Sequence, residues 1–369
     1  MTYKEIYYFT GQCLSLDEHT GFRRTIVKKI QNEDINWEDF VQLCSDHLVI
    51  PAIYLRFKAH GILNILPEEL TRILTEIYQA NRVRNAQILL QIDHLTAALH
   101  PLLIYPVFLK GTANLLDGLY SDLGQRMIQD IDFLVIEEDY LRTADLLESM
   151  GYSHHQTNYM DYKDLKHYPR LYKYGEPAVV EIHRLPVTEK YTDQFNSAMI
   201  FRDKKAIAGK PGIYVPSDRH KLIQTFIHSQ LAHKGHVYKQ SSFRGFNDLY
   251  MLSKRIPVFT LSGLTRHGKK AISWLVFGQR VLGLPGLFYP FETRGAKWFC
   301  LRYDLAISYA RSYNVYTFIK KLNYLLFVRY AGGFLKAILQ EKQRLSVYRR
   351  LKSPQWYGAH LMSFKEYFF

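Results

Sequence analysis

The chain reads as an α+β protein, a small mixed β-sheet core set between an amino-terminal and a carboxy-terminal helical region. Three observations predict this. Apolar residues recur at helical spacing through residues 1–100; the spacing then gives way to short β-branched and aromatic runs cut by Gly and Pro; and helical spacing returns after Ser217. The expected organisation is a helical region over 1–100, the α/β core over 101–215 and a basic helical domain over 216–369. With 47% apolar and 22% charged residues, the chain is too apolar for disorder.

The elements follow in order. Leu70, Ile73, Leu74, Ile77 and Tyr78 share one helix face after Pro67, and Ile88, Leu89, Ile92, Leu95 and Leu99 resume the pattern. Strands are expected over 102–109, 131–136, 168–174 and 178–185, with Gly175-Glu176-Pro177 as a hairpin turn. A helix from Tyr140 to Met150, closed by Gly151, interrupts them. Ser217-Asp218 caps a helix whose apolar face carries Leu222, Ile223, Phe226, Ile227 and Leu231. Further helices are expected over 244–254, 261–282, 297–311 and 316–348. No fixed-period repeat or low-complexity segment interrupts this pattern.

Charge divides the chain unevenly. Of the net +14, residues 1–200 carry −8 and residues 201–369 carry +22. Carboxylate chemistry therefore belongs to the first part and an anionic partner to the second. Lys320, Lys321, Arg329, Lys336, Lys342, Arg344, Arg349, Arg350 and Lys352 alternate with Tyr324, Phe327, Tyr330, Phe334 and Tyr348. That alternation suits RNA, an anionic membrane surface, or a helix with core aromatics and solvated cations. Cys13, Cys44 and Cys300 lack metal or disulfide spacing and read as reduced core thiols. No leader-like apolar stretch and no charge-free run of membrane-spanning length occurs, so no transmembrane segment and a cytoplasmic location are expected. His233-x-x-His236 has a ligand interval, but with Lys234 beside it and no cysteine near, it reads as solvated histidine rather than zinc site. A P-loop, a dinucleotide fingerprint and a nucleophile elbow are all absent from the sequence.

The chemistry concentrates in the core. Asp130 and Asp132 stand two apart at the start of an apolar strand and so project from one face. Acid pairs of this kind are common by chance, but Glu181 and His183 share a face of a second apolar strand. Buried carboxylates that converge need a cation, and Mg²⁺ takes a few carboxylate oxygens together with water and phosphate. Upstream, Phe108-Leu109-Lys110-Gly111-Thr112 runs from a strand into a turn and then a helix, where backbone N–H groups, the Lys110 charge and the Thr112 hydroxyl suit a triphosphate.

In combination, Leu109-Lys110-Gly111, Leu119-Tyr120, Arg126-x-x-x-Asp130-Ile131-Asp132-Phe133-Leu134-Val135, Gly151-Tyr152 and Val180-Glu181-Ile182-His183 resemble the uncharacterised nucleotidyltransferase family with a DNA polymerase β-like fold. The similarity continues through Asp218, His228 and Arg244-x-x-x-Asp248-Leu249, covering roughly residues 65–255. It implies that Asp130, Asp132 and Glu181 are catalytic and hold metal, two Mg²⁺ or Mn²⁺ ions. It further implies that Lys110, Gly111, Thr112, Arg126 and His183 bind nucleotide, Gly111-Thr112 standing where the superfamily has Gly-Ser. The reaction implied is transfer of a nucleoside monophosphate from an NTP, ATP foremost, to an unidentified acceptor such as RNA or another anionic molecule, with release of pyrophosphate. Arg126 reads equally as a phosphate contact and as a salt bridge orienting the Asp pair, and His183 reads sooner as a hydrogen-bonded sheet histidine than as a nucleotide contact. The alternative is a catalytically silent protein of this fold that binds nucleic acid or protein.

Overall fold

The computed structural model describes residues 1–323 except 19, 33–34, 155–161, 163 and 164; beyond 323 it describes 325, 327, 331–339, 341, 344–345, 347–348 and 352. Of the basic and aromatic residues expected to alternate near the carboxy terminus, Arg329, Lys342, Arg349, Arg350, Tyr324 and Tyr330 lie outside the described residues.

The chain opens with α1 (Tyr3–Leu14), α2 (Thr20–Asn32), α3 (Trp37–Asp46) and α4 (Ile50–Ala59). The two apolar patterns after Pro67 prove to be one helix, α5 (Glu68–Leu99). Its polar residues do as much as its apolar ones. Asn81 Nδ2 donates to the Gly124 carbonyl at 2.7 Å, and Asn85 Nδ2 to those of Leu123 and Arg126 at 2.7 and 2.9 Å. Arg84 donates to the carbonyls of Ile128 and, at 3.0 Å, Pro177. The long helix thus holds the backbone leading into both strands that carry acids, satisfying carbonyls that no ladder reaches.

The sheet is formed by β1 (Val107–Phe108), β2 (Asp130–Leu134), β3 (Val179–His183), β4 (Lys205–Ile207) and β5 (Lys210–Val215), in the order β3-β2-β1-β5-β4. β1 runs antiparallel to β2 and parallel to β5, β2 and β3 are parallel, and β4 and β5 form a hairpin. Helix α6 (Lys110–Leu116) follows β1, α7 (Tyr140–Ser149) follows β2 and α8 (Ser197–Arg202) precedes β4. Two strands differ from expectation. Over 102–109 only Val107 and Phe108 pair, because His100–Leu102 closes a 3-10 turn and Leu103 takes a left-handed backbone. Over 168–174 the chain makes isolated antiparallel bridges, Leu171 with Val180 and Ser153 with Tyr172, rather than a ladder; Pro169 has no N–H to extend one. The turn at Gly175 (φ 82°) does reverse the chain there. The β4–β5 hairpin was not foreseen, since Pro211 and Gly212 blur its alternation.

The sheet separates two cores. Ile131, Phe133, Val180 and Ile182 point into one, with Ile88, Ile92, Leu95 and Leu99 of α5 and Ala144 and Leu147 of α7. Val107, Leu109 and Leu134 join a larger one built by helices from both ends of the chain. The later elements are α9 (Asp218–Phe226), capped by Ser217 Oγ accepting from the His220 N–H at 3.3 Å, then α10 (Gly235–Tyr238) and α11 (Phe243–Ser253). They continue with α12 (Gly268–Val281), α13 (Arg294–Ser308), α14 (Ala310–Asn323) and α15 (Gly332–Leu339). Gly11 lets α1 approach the end of α12, where a Cβ would strike the Val281 carbonyl. The three cysteines are buried and unpaired. Among the described residues no helix is long and apolar enough to cross a membrane.

Candidate active site

Parallel pairing of β2 and β3 sets Asp132 opposite Glu181, Leu134 opposite His183 and Asp130 opposite Val179. Strand alternation then brings Asp130, Asp132, Glu181 and His183 to the face away from the α5–α7 core. Asp132, Glu181 and His183 are buried, and one donor atom from each lies within 4.8 Å of the others. His183 Nε2 is 2.7 Å from Asp132 Oδ1 and 3.4 Å from Glu181 Oε2. Asp130, at the more exposed start of β2, shares the face but not this tight group.

Two cations enter the cluster. The Lys110 ammonium pairs with Asp132 and lies 3.6 Å from Glu181 Oε2. Arg170 Nε donates to Glu181 Oε1 at 2.7 Å, with its Nη2 4.0 Å from Asp130 Oδ2. The carboxyls respond differently. Burial, then repulsion from Asp132, raises Asp130 to about 6. Burial would raise Asp132 too, but Lys110 and the His183 hydrogen bond outweigh it and hold that carboxyl below its usual range. Against the same burial, His183 and Lys110 keep Glu181 ionised far below its usual range. Two buried carboxylates and an imidazole at this spacing could hold a divalent metal ion. Lys110 and Arg170 occupy the oxygens such an ion would take.

The remaining expected residues cluster around the turn into α6. Lys110, not Gly111, takes the left-handed backbone, at φ 50°. Gly111 is buried against Arg126, whose guanidinium leaves no space for a Cβ. Thr112 Oγ1 donates to the Asp130 carbonyl at 3.2 Å, tying the turn to β2. The buried Arg126 does form a salt bridge, but to α11: Nε and Nη2 each lie 2.7 Å from an oxygen of Asp248. Tyr120 donates its hydroxyl to Asp248 Oδ1 at 2.5 Å and Asn114 its amide at 3.3 Å, so this carboxylate is well satisfied. Sequence reasoning missed Arg170 and the partner of Arg126. The bridge of Leu171 with Val180 puts Arg170 opposite Glu181, a register that the Gly175-Glu176-Pro177 turn alone does not specify.

A mixed sheet presenting carboxylates from two neighbouring strands, next to a strand–turn–helix, fits a nucleotidyltransferase domain. Comparison with known families agrees. Residues 33–265 match the model of an uncharacterised nucleotidyltransferase family, more than half of the chain, and the chain belongs to that family. The match takes in α3 and α4, ahead of the stretch of roughly 65–255 that the motifs suggested. No curated protein matches the chain.

Proposed function

We propose that the protein is a divalent-metal-dependent nucleotidyltransferase that moves a nucleoside monophosphate from an NTP, ATP foremost, to an acceptor, with pyrophosphate leaving. The observation that carries this reading is the register of β2 and β3, which stacks Asp132 on Glu181 beside His183. Two metal ions held by Asp130, Asp132 and Glu181 would neutralise phosphate charge and activate the acceptor. His183 fixes the Asp132 carboxylate through its 2.7 Å contact. Lys110 and Arg170 are the cations positioned to turn toward phosphate oxygens, and the N–H groups of Gly111 and Thr112 face the same task. Arg126 supports the turn from behind through its contact with Gly111. Buried free thiols support a reducing, cytoplasmic setting.

The silent alternative is favoured by one observation: Lys110 and Arg170 already neutralise the acids. Label transfer from each α-labelled NTP into size-fractionated cell extract, with Mg²⁺ or Mn²⁺, separates the two. The wild type is expected to transfer label and to melt at higher temperature with ATP and Mg²⁺ together. Asp132→Asn should lose both effects and keep its fold. Absence of transfer and of any metal-dependent stabilisation in the wild type would leave the silent reading standing.

A further inference from the structure

Beside the carboxylates lies a cavity of about 220 Å³ lined by Lys166, Val187, Thr188, His228, Ala232 and His233. Its shape depends on a local irregularity. After α9 the chain continues as a π-helical turn, Ile227–Ala232, of the kind that re-aims side chains at functional sites. It brings His228 Nε2 within 3.2 Å of His233 Nε2. The cavity adjoins the acid cluster: His228 feels the charges of Lys110 and Asp132, and Lys166 those of Lys110, Glu181, Asp132 and Asp130.

The lining carries three basic groups and a hydroxyl, and no carboxylate. Lys166 makes no ion pair or side-chain hydrogen bond among the described residues. Burial, then Lys110, lowers it to about 8, and burial followed by Lys110 and His233 pushes His228 well below the usual histidine range. Lys166 supplies a half-buried ammonium without an ion pair, the two imidazoles and the Thr188 hydroxyl supply neutral donors, and an anion accepting from them offsets the ammonium's lost hydration. Lys110 and Arg170, by contrast, are both paired with acids. The acids act on Lys166 through space, without an ion pair to it among the described residues.

We propose that the cavity binds a phosphate-type oxyanion, held by Lys166, Thr188, His228 and His233 alongside the carboxylate cluster. The inference deepens the nucleotidyl-transfer reading and rests on it for the source of the anion, either the β- and γ-phosphates of the NTP or a phosphate on the acceptor.

Calorimetric titration of the full chain with sodium pyrophosphate and with inorganic phosphate, free of divalent metal, tests it. The wild type should bind, and Lys166→Gln and His228→Gln should weaken binding about tenfold or more with unchanged circular dichroism. His233→Gln, at a more exposed position, keeps the test decisive should His228→Gln unfold. No binding by the wild type, or equal binding by all three variants, overturns the proposal. So does adenosine binding that is lost in the same variants, which would make the cavity a nucleobase site. Titration with ATP and AMP distinguishes the sources. Weakened ATP binding with intact AMP binding assigns the NTP's terminal phosphates, whereas intact ATP binding with lost phosphate binding assigns the acceptor. Asp132→Asn should still bind pyrophosphate, so a protein that binds the anion but transfers no nucleotide fails the catalytic reading alone.

Discussion

Asp130 and Asp132 share a strand and a face, yet their surroundings pull their proton affinities apart. Asp132 is tied to Lys110 and His183, while Asp130 has burial and a neighbouring negative charge against it, raising it to about 6. The folded protein therefore retains a proton on Asp130 over a window, from the ordinary carboxylate range to about 6, in which the unfolded chain has released it. Its contribution to stability is full below that window and is lost as pH rises through it. Asp130→Asn should accordingly melt at the same or a higher temperature than the wild type in metal-free buffer above about pH 7. Mn²⁺ affinity should rise through about pH 6 in the wild type and stay flat in the variant. Parallel titrations that keep the wild-type slope in the variant would remove Asp130 from the ligand set.

At the level of elements, the ion pair of Arg126 with Asp248 anchors the approach to β2 onto α11, and Arg126 in turn fills the space that Gly111 leaves open. Breaking one side strands a buried charge, so Asp248→Ala should cost about 3–5 kcal/mol in urea unfolding. Arg126→Met combined with Asp248→Leu should recover most of that loss, and a double variant as unstable as the single one would show that the pair does more than neutralise itself. Helical spacing made α5, α7 and α9 legible in the sequence, and two-residue alternation put Asp130 with Asp132 and Glu181 with His183. β1 was overdrawn because apolar residues on either side of Pro106 look alike whether or not they pair. The partnership of residues 126 and 248 could not be read, since periodicity says nothing about contacts across 122 positions. Nor could the entry of Lys110 among the acids, which depends on the left-handed turn that aims it.

The whole molecule combines an acidic first part with a strongly basic second part, net −8 over residues 1–200 and net +22 over 201–369. An RNA acceptor would be held chiefly by that second part, and each neutralised phosphate would add about −0.7 to the slope of log affinity against log salt for a single strand. We expect filter binding of single-stranded RNA at two ionic strengths to show such a fall, and the combined reversal Arg344→Glu, Arg349→Glu and Arg350→Glu to flatten it. Binding of ATP with Mg²⁺ should be nearly unchanged. A flat salt response in the wild type would turn attention to small neutral acceptors.

The parallel pairing of β2 with β3 also imposes an order in time. On the ribosome Asp132 emerges about fifty residues before the Glu181 it faces, and Asp248 follows only when α11 is made. At about 5–20 residues per second, the strand bearing the first acids waits seconds for its neighbour and again for the helix that secures Arg126. Closing so long a crossover is entropically slow, so the cluster assembles late. A chain whose translation stops before α11 would thus carry the acids without the scaffold that braces them. Completion of α11 is thus the step on which the geometry around Asp132 and Glu181 waits.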